Sequence, residues 1–342
     1  MTAPQIVPSV IKRLVAGESV PAGELTAAFD LVMGGDATPV QVAALLVGLR
    51  VKGETPEEVA AVARAMRNAM VLMRGDHPEA LVDTCGTGGG SITTFNISTA
   101  AALLAAGAGV RIAKHGNRSF TSQCGSADVL EALDVKIEMP VASMEKPLRD
   151  AGIVFMFAPI MHPAMKHVGP VRRELAIPTV MNMVGPLANP AHAGRQVLGV
   201  ADPKRLPLMA GALKELGTVH AMVVHGTAGL DEISPVGSTE VIEIRGGRTK
   251  TWTIDPARFG YSNVDQADLA GGPPAENARI ILSVLRGEGP AGAAAAVILN
   301  AAAAIYVAGD VHTYEEAVDK ASTALQEGSG IVALDRLRAS SS

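Results

Sequence analysis

Between Leu81 and Gly226 five short apolar runs, ALVDTC, VRIAKH, IVFMFA, RQVLGVA and HAMVVHG, are separated by stretches with apolar residues at helical spacing. Those stretches include ISTAAALLAAGAG, SADVLEALDV, SMEKPLRDAG, PAMKHVGPVRREL and PKRLPLMAGALKELG. Runs so short and so continuously apolar read as strands buried on both faces. Parallel neighbours need a crossover between them, and a helix is the usual one. The alternation therefore predicts an α/β fold with a mainly parallel central sheet covered by helices. STEVIEIRGG followed by RTKTWTI reads as a β-hairpin at its end. Ligands of such sheets bind outside the carboxyl ends of the strands, so the loops after these runs are where chemistry is to be sought.

The flanks are helical. PSVIKRLVAGE, PAGELTAAFDLVMGG, TPVQVAALLVGLRVKGE and TPEEVAAVARAMRNAM predict a small helical domain over residues 1–75. Thr38 with Gln41, and Thr55 with Glu58, make capping boxes, each with proline at the first helical position. PAENARIILSVLRG, AGAAAAVILNAAAAIYVA and TYEEAVDKASTALQEG return the chain to helix, the last capped by Thr313 with Glu316. The alanine-rich segment has the length of a membrane span, but alanine is weakly apolar, Asn300 interrupts it and no basic or aromatic anchors flank it. It reads as a buried core helix. The N-terminus lacks the organisation of a signal peptide, and Cys85 and Cys124 lack metal-ligand spacing, which suggests a cytoplasmic protein with free thiols. A net charge of −5 without long like-charge runs argues against nucleic acid or a membrane surface as partner.

Three strand-end segments carry the polar chemistry. In DTCGTGGGSITTFNISTA, Gly86, Gly88, Gly89 and Gly90 free the backbone to bring N–H groups close to a ligand, and Thr94, Asn96, Ser98 and Thr99 follow at a helix start. Such a turn suits phosphate and equally suits an N-cap cluster. It is neither a Walker A loop nor a dinucleotide fingerprint. In KHGNRSFTSQCGSADVLEAL, Lys114 and Arg118 stand among His115, Asn117, Ser119, Thr121, Ser122 and Ser126, a set suited to a polyanion. In VVHGTAGLDEIS, the adjacent acids Asp231 and Glu232 suit an exposed acidic turn and equally suit a cation seat, since Mg²⁺ accepts carboxylates together with phosphate oxygens. Together they describe a site for a substrate with several phosphates, reacted with help from Mg²⁺.

GTGG…TFNIST, KHGNRS…GSADVLEAL, HPAMKHVGPVRREL, GPLANP and HGTAGLDEIS, in this order, closely resemble the anthranilate phosphoribosyltransferase family of tryptophan biosynthesis, over nearly the whole chain. The resemblance implies a fold of the nucleoside phosphorylase/phosphoribosyltransferase type: a small α-helical domain of residues 1–75 with a returning segment near 172–190, and a large α/β domain of 76–171 and 191–342. It implies a homodimer formed through the helical domain. It also implies the reaction, in which the amine of anthranilate attacks C1 of 5-phosphoribosyl 1-pyrophosphate and pyrophosphate leaves. Carried over by position, Gly86, Gly89, Gly90, Thr94, Asn96, Ile97, Ser98 and Thr99 would bind the sugar donor. So would Lys114, His115, Gly116, Asn117, Arg118, Ser119, Phe120, Thr121, Ser122 and Ser126. Ser98, Asp231 and Glu232 would hold Mg²⁺, while Gly86, His115, Asn117, His162, Arg172 and Pro186 would meet anthranilate. No Ser or Cys nucleophile is expected.

Two departures stand out. Gly90 and Ser91 follow GTGG where the family usually has an acid, and LAIPTVMN puts Pro178 and Met181 where Arg and Phe are common. A pyrimidine nucleoside phosphorylase would read differently after the central strand, around Lys-x-Ser-Gly-Arg-Gly. A nucleic-acid-binding relative would show a basic stripe and a degraded metal site.

Overall fold

In the computed structural model, which describes residues 3–119 and 123–341, the chain opens with α1 (Ala3–Val15), α2 (Ala22–Gly34), α3 (Pro39–Lys52) and α4 (Pro56–Asn68). β1 (Val82–Gly86), α5 (Ile97–Gly107), β2 (Ile112–Gly116), α6 (Ser126–Ala132), α7 (Glu145–Asp150) and β3 (Ile153–Phe157) follow. Next come α8 (Ala158–Met161), α9 (Met165–Leu175), α10 (Met181–Val184), β4 (Arg195–Gly199), α11 (Leu206–Glu215) and β5 (His220–Gly226). β6 (Thr239–Arg245), β7 (Arg248–Ile254), α12 (Pro274–Leu285), α13 (Ala291–Ala308), α14 (Tyr314–Gln326) and α15 (Ser329–Ser341) complete it.

The chain divides into two compact units. The helical unit comprises residues up to Leu72, Pro159–Pro190 and Pro207–Gly217. Its returning segment thus begins earlier than the expected 172–190, and a second return, α11, was not foreseen. The physical reason is packing: α9 lies against α2 and α3, α10 against α4, and Gly211 of α11 sits so close to Pro56 that an added Cβ would come within 2.7 Å of its ring. Both capping boxes form, Thr38 with Gln41 and Thr55 with Glu58. Glu58 does more than cap. One carboxylate oxygen accepts from the Val20 amide at 3.0 Å, and the other accepts from the Thr55 amide at 3.0 Å and pairs with Lys52 at 2.7 Å. Only 1% of its side chain is exposed, so these partners are what make the buried charge tolerable.

The second unit is built on one sheet in the order β3-β2-β1-β4-β5-β6-β7. β1 to β5 are parallel, and β6 and β7 add an antiparallel edge. The predicted hairpin is β6–β7, closed by Gly246 and Gly247 at φ of +55° and +75°, the two positive values that a tight two-residue turn requires. The chain leaves β1 toward β2 and later returns on its other side as β4, which puts a topological switch point between β1 and β4. Gly86 and Gly199, the last residues of those strands, are register partners there.

α13 is buried over 78% of its length and packs on α5 and α14. It is long and apolar enough to cross a membrane by length and composition alone. The small side chains of Ala100–Ala102 on α5 and Ala301–Ala304 on α13 let the two helices approach closely. α15 had no strong sequence signal, because its SGIVALDRLRASS is flanked and interrupted by Gly, Ser and Arg. It forms because Ala333, Leu334 and Leu337 are buried against neighbours that include α5 and α7, and Gly107 lets the Ser329 backbone lie directly against α5.

Glu58→Ala should destabilise the protein by about 3 kcal/mol, since it strands Lys52 and two backbone amides. Urea unfolding checks this, and a loss below about 1 kcal/mol would contradict the buried-pair account.

Candidate active site

The glycine turn after β1 and the acidic loop after β5 meet at the switch point. Gly88 and Gly89 take φ of +67° and +83°, the left-handed region that favours glycine. The Gly88 N–H donates to the Asp231 carboxylate at 2.8 Å, and the Ser91 N–H donates to the Gly229 carbonyl at 3.0 Å. One residue on from Asp231, the Glu232 carboxylate accepts from the Ser98 N–H at the first turn of α5 at 3.2 Å. Two carboxylates therefore lie on the two features that attract anions, a glycine-turn amide and a helix N-terminus. Only glycine permits the approach: a Cβ at Gly86 would run into the Asp231 carboxylate, and one at Gly199 into its main chain.

Burial raises the pKa of both acids. For Asp231 the Gly88 amide, its own amide and His225 work against that rise. Glu232 is driven well above the ordinary carboxyl range by burial and then by the Asp231 charge, against the Ser98 amide, Lys114 and Thr94. Its second oxygen is shut off from solvent and has no hydrogen-bond partner of good geometry among the described residues. Lys114, at the centre of β2, is 2% exposed, and its ammonium donates to the Thr84 carbonyl at 2.5 Å with the Thr84 and Ser98 hydroxyls at 3.4 Å. Burial lowers its pKa while Asp83, Cys85 and Glu232 raise it. Among the described residues no group of three or more His, Cys, Asp or Glu could hold a metal ion. Two adjacent carboxylates, one oxygen without a donor and the Ser98 hydroxyl are instead the oxygen set that fits Mg²⁺, which fills its remaining positions with water and phosphate.

Not every expected residue joins this group. Arg118 turns to Asp128 at 3.0 Å and to Glu131, its Nη2 donating at 2.9 Å, and its guanidinium lies 5.5 Å from the Phe157 ring centre. The expected Lys114–Arg118 pairing on one polyanion is thus not what the side chains show. Asp128, which sequence reasoning overlooked, accepts from the Ser119 amide at 3.1 Å and the Gly125 amide at 2.8 Å. Burial raises its pKa, but those amides and Arg118 outweigh it and leave the carboxyl below its ordinary value. Its signal was the acid three residues after Gly125, a capping position. His115 is held through its amide on Asp83 at 3.2 Å, Gly116 packs directly against Ser126, and the Asn117 carbonyl accepts from the Ser126 hydroxyl at 3.4 Å. Phe120, Thr121 and Ser122 lie outside the described residues.

Around the start of α5 the side chains divide in role. Ile97 and Thr99 are buried, and the Thr99 hydroxyl has no hydrogen-bond partner among the described residues. Asn96 does not cap the helix. Its amide donates to the Cys124 carbonyl at 3.1 Å and accepts from Asn277 at 2.9 Å, which ties the start of α5 to the segment before α6 and to α12. Neither Cys85 nor Cys124 forms a disulfide among the described residues. Burial pushes the Cys85 thiol well up and Cys124 to about 11, so neither is a thiolate at neutral pH.

Arg172, His162 and Pro186 belong to the helical unit. Arg172 is half-buried on α9, and burial lowers its pKa. Burial lowers His162 to about 4, against a backbone bond at Ala188, so the ring is neutral at pH 7. Pro186 follows α10 in a short turn, where the next residue, Leu187, accepts from Arg67 at 2.7 Å. Arg67 carried no motif by which to find it, since only tertiary packing brings α4 to that turn.

Residues 78–331 match the glycosyl transferase family a/b domain, and residues 8–70 match the helical bundle domain of the same family. An anthranilate phosphoribosyltransferase of Rubrobacter xylanophilus is 48% identical over 326 residues, covering 95% of each chain. The crystal structure of anthranilate phosphoribosyltransferase from Thermus thermophilus superposes with a TM-score of 0.90 at 41% identity, covering 97% of this chain and 99% of that one. The Saccharomyces cerevisiae anthranilate phosphoribosyltransferase in complex with PRPP and Mg superposes at 0.86 with 28% identity, covering 98% and 97%.

The chain belongs to the anthranilate phosphoribosyltransferase family.

Membership favours neither the pyrimidine nucleoside phosphorylase nor the nucleic-acid-binding alternative. Against the family pattern, Gly90 is the notable departure. A Cβ here would lie 3.0 Å from the Gly229 carbonyl and 3.5 Å from an Asp231 carboxylate oxygen, so the loop packs against the strap that carries Asp231 and Glu232. Met181 is buried in the helical unit, and Pro178 is exposed just before Thr179, whose amide donates to Asn182 at 3.0 Å.

Gly199→Ala should displace the Asp231 main chain and lower kcat by about 100-fold or more, the scale expected of an ångström-level misplacement. Steady-state kinetics on folded protein checks this, and near-normal kcat would show that the close approach is dispensable.

Proposed function

We propose that this chain transfers the 5-phosphoribosyl group of 5-phosphoribosyl 1-pyrophosphate to the amine of anthranilate, giving N-(5-phosphoribosyl)anthranilate and pyrophosphate. The observation that carries the residue assignments is the meeting of Asp231 and Glu232 with the glycine-turn amide and the α5 N-terminus, beside Lys114.

Ser98, Asp231 and Glu232 would hold Mg²⁺, which when bound supplies positive charge against the departing diphosphate. Amides and hydroxyls of Gly86–Gly90, Thr94, Asn117 and Ser119 would meet the donor's phosphates and ribose. Lys114, held on Thr84 and Ser98, balances the acids from within the sheet. Arg118 would reach the donor only by leaving Asp128 and Glu131. An aromatic amine is neutral at pH 7, so the acceptor needs no strong base. What the protein must do is orient the amine against C1 while charge grows on the ribose. Arg172 would pair with the anthranilate carboxylate, its half-buried setting strengthening a charge-assisted bond, while neutral His162 and Pro186 shape the same acceptor's surroundings.

A homodimer through the helical unit accords with its surface. Val15, Val40 and Val51 are about 80% exposed on α1 and α3, which pack on each other, and Val40 and Val51 fall on one face of α3. Two cysteines with no disulfide among the described residues accord with a cytoplasmic location.

Arg172→Ala should raise the KM for anthranilate at least about tenfold, the cost of a charge-assisted bond, while that for the sugar donor stays within about twofold. An unchanged anthranilate KM would remove Arg172 from the acceptor site. Val51→Glu should shift the protein from dimer to monomer in analytical ultracentrifugation, and a wild-type monomer would refute the dimer.

A further inference from the structure

Asn300 stands in the middle of α13, where every other buried residue is Ala, Gly, Val, Ile or Leu. It is 5% exposed, and nothing in forming an apolar core helix calls for a carboxamide there. The amide is fully engaged. Its oxygen accepts from the Ile233 N–H at 3.0 Å, and its nitrogen donates to the Ile233 carbonyl at 2.8 Å and to Ala296, one turn back, at 2.9 Å. Two of the three bonds thus grip both main-chain groups of a single residue, as one strand grips another. That residue is the one directly after Asp231 and Glu232.

The cavity under these groups, bounded by Thr84, Ser98, Gly199, Asp231, Glu232 and Asn300 among others, measures about 10 Å³, room for no more than one water. Asn300 therefore has no route to a substrate of its own. Whatever it does for the reaction, it does through Ile233.

We propose that Asn300 is a positioning residue: by clamping the Ile233 main chain it sets the Asp231 and Glu232 carboxylates at the spacing a divalent cation requires. The clamp acts at a different point of the loop from the glycine turn: Gly88 and Ser91 hold it at Asp231 and Gly229, and α13 holds it at Ile233. The inference rests on the reading of Asp231 and Glu232 as the Mg²⁺ seat.

Mn²⁺, titrated against protein saturated with 5-phosphoribosyl 1-pyrophosphate and followed by electron paramagnetic resonance, reads the metal directly. Asn300→Leu, of similar volume but without hydrogen bonds, should weaken Mn²⁺ binding about tenfold or more, the range seen when supporting groups behind metal ligands are removed. Its KM for anthranilate should stay within about twofold of wild type. Ile305→Ala, a loss of core volume in the same helix, should lower Tm while leaving Mn²⁺ affinity alone. Wild-type Mn²⁺ affinity in folded Asn300→Leu would overturn the proposal. Asp231→Asn combined with Glu232→Gln separates the two claims: if that variant binds Mn²⁺ normally the metal seat itself is misplaced, and if it loses Mn²⁺ while Asn300→Leu does not, only the clamp fails. Should Asn300→Leu not fold, Asn300→Ala, which adds no bulk to an alanine-rich helix, is read in its place with the same outcomes.

Discussion

Two neighbouring carboxylates drawn onto backbone amides organise the functional end of the α/β unit. Asp231 takes the Gly88 amide and Glu232 takes the first-turn amide of α5, so one loop ties the ends of β1, β4 and β5 together. Placing two like charges side by side in a buried setting is unfavourable: burial raises the pKa of both acids, and for Glu232 the Asp231 charge adds to the rise. Amide dipoles and Lys114 offset part of it. On the proposed reading of Asp231 and Glu232 as the Mg²⁺ seat, a divalent cation would relieve the remainder.

The fold around this loop is arranged to permit close approach. Glycine ends β1, β2, β4 and β5, and at Gly86, Gly116, Gly199 and Gly226 an added methyl would press on a neighbouring loop or side chain. The alanine runs of α5 and α13 serve the same end one layer away. Small side chains let α13 come close behind the sheet, where its one polar buried residue can reach the acidic loop. Both devices trade apolar burial for proximity. The sheet recovers stability through the continuous apolar faces of β3 and β5, which are buried along their whole length.

Much of this was legible in the chain. Strand-length apolar runs, capping boxes at Thr38, Thr55 and Thr313, and the glycine pair of the hairpin are local signals, and each became the element it predicts. α15 and the second return of the helical unit were not legible, because their stability comes from distant partners such as Gly107 and Pro56. The site divides along the same line. Residue type and strand-end position singled out Gly86, Ser98, Lys114, Asp231 and Glu232, which the fold brings close together. Arg118 misled because a cation in a polar loop has the same appearance whether it faces a ligand or faces Asp128 and Glu131. Asn300 was visible as an oddity in an alanine run, yet its partner lies 67 residues away.

The order of residues by itself determined the fold class, the family and the kind of chemistry, since hydrophobic period, turn residues and clustered donors act over a few positions and survive in any view of the chain. Tertiary structure alone decided which donors share a site. The direction of a long charged side chain, and the identity of the group behind a loop, depend on which elements pack together. That is settled by the burial of whole faces, which no short stretch of sequence encodes.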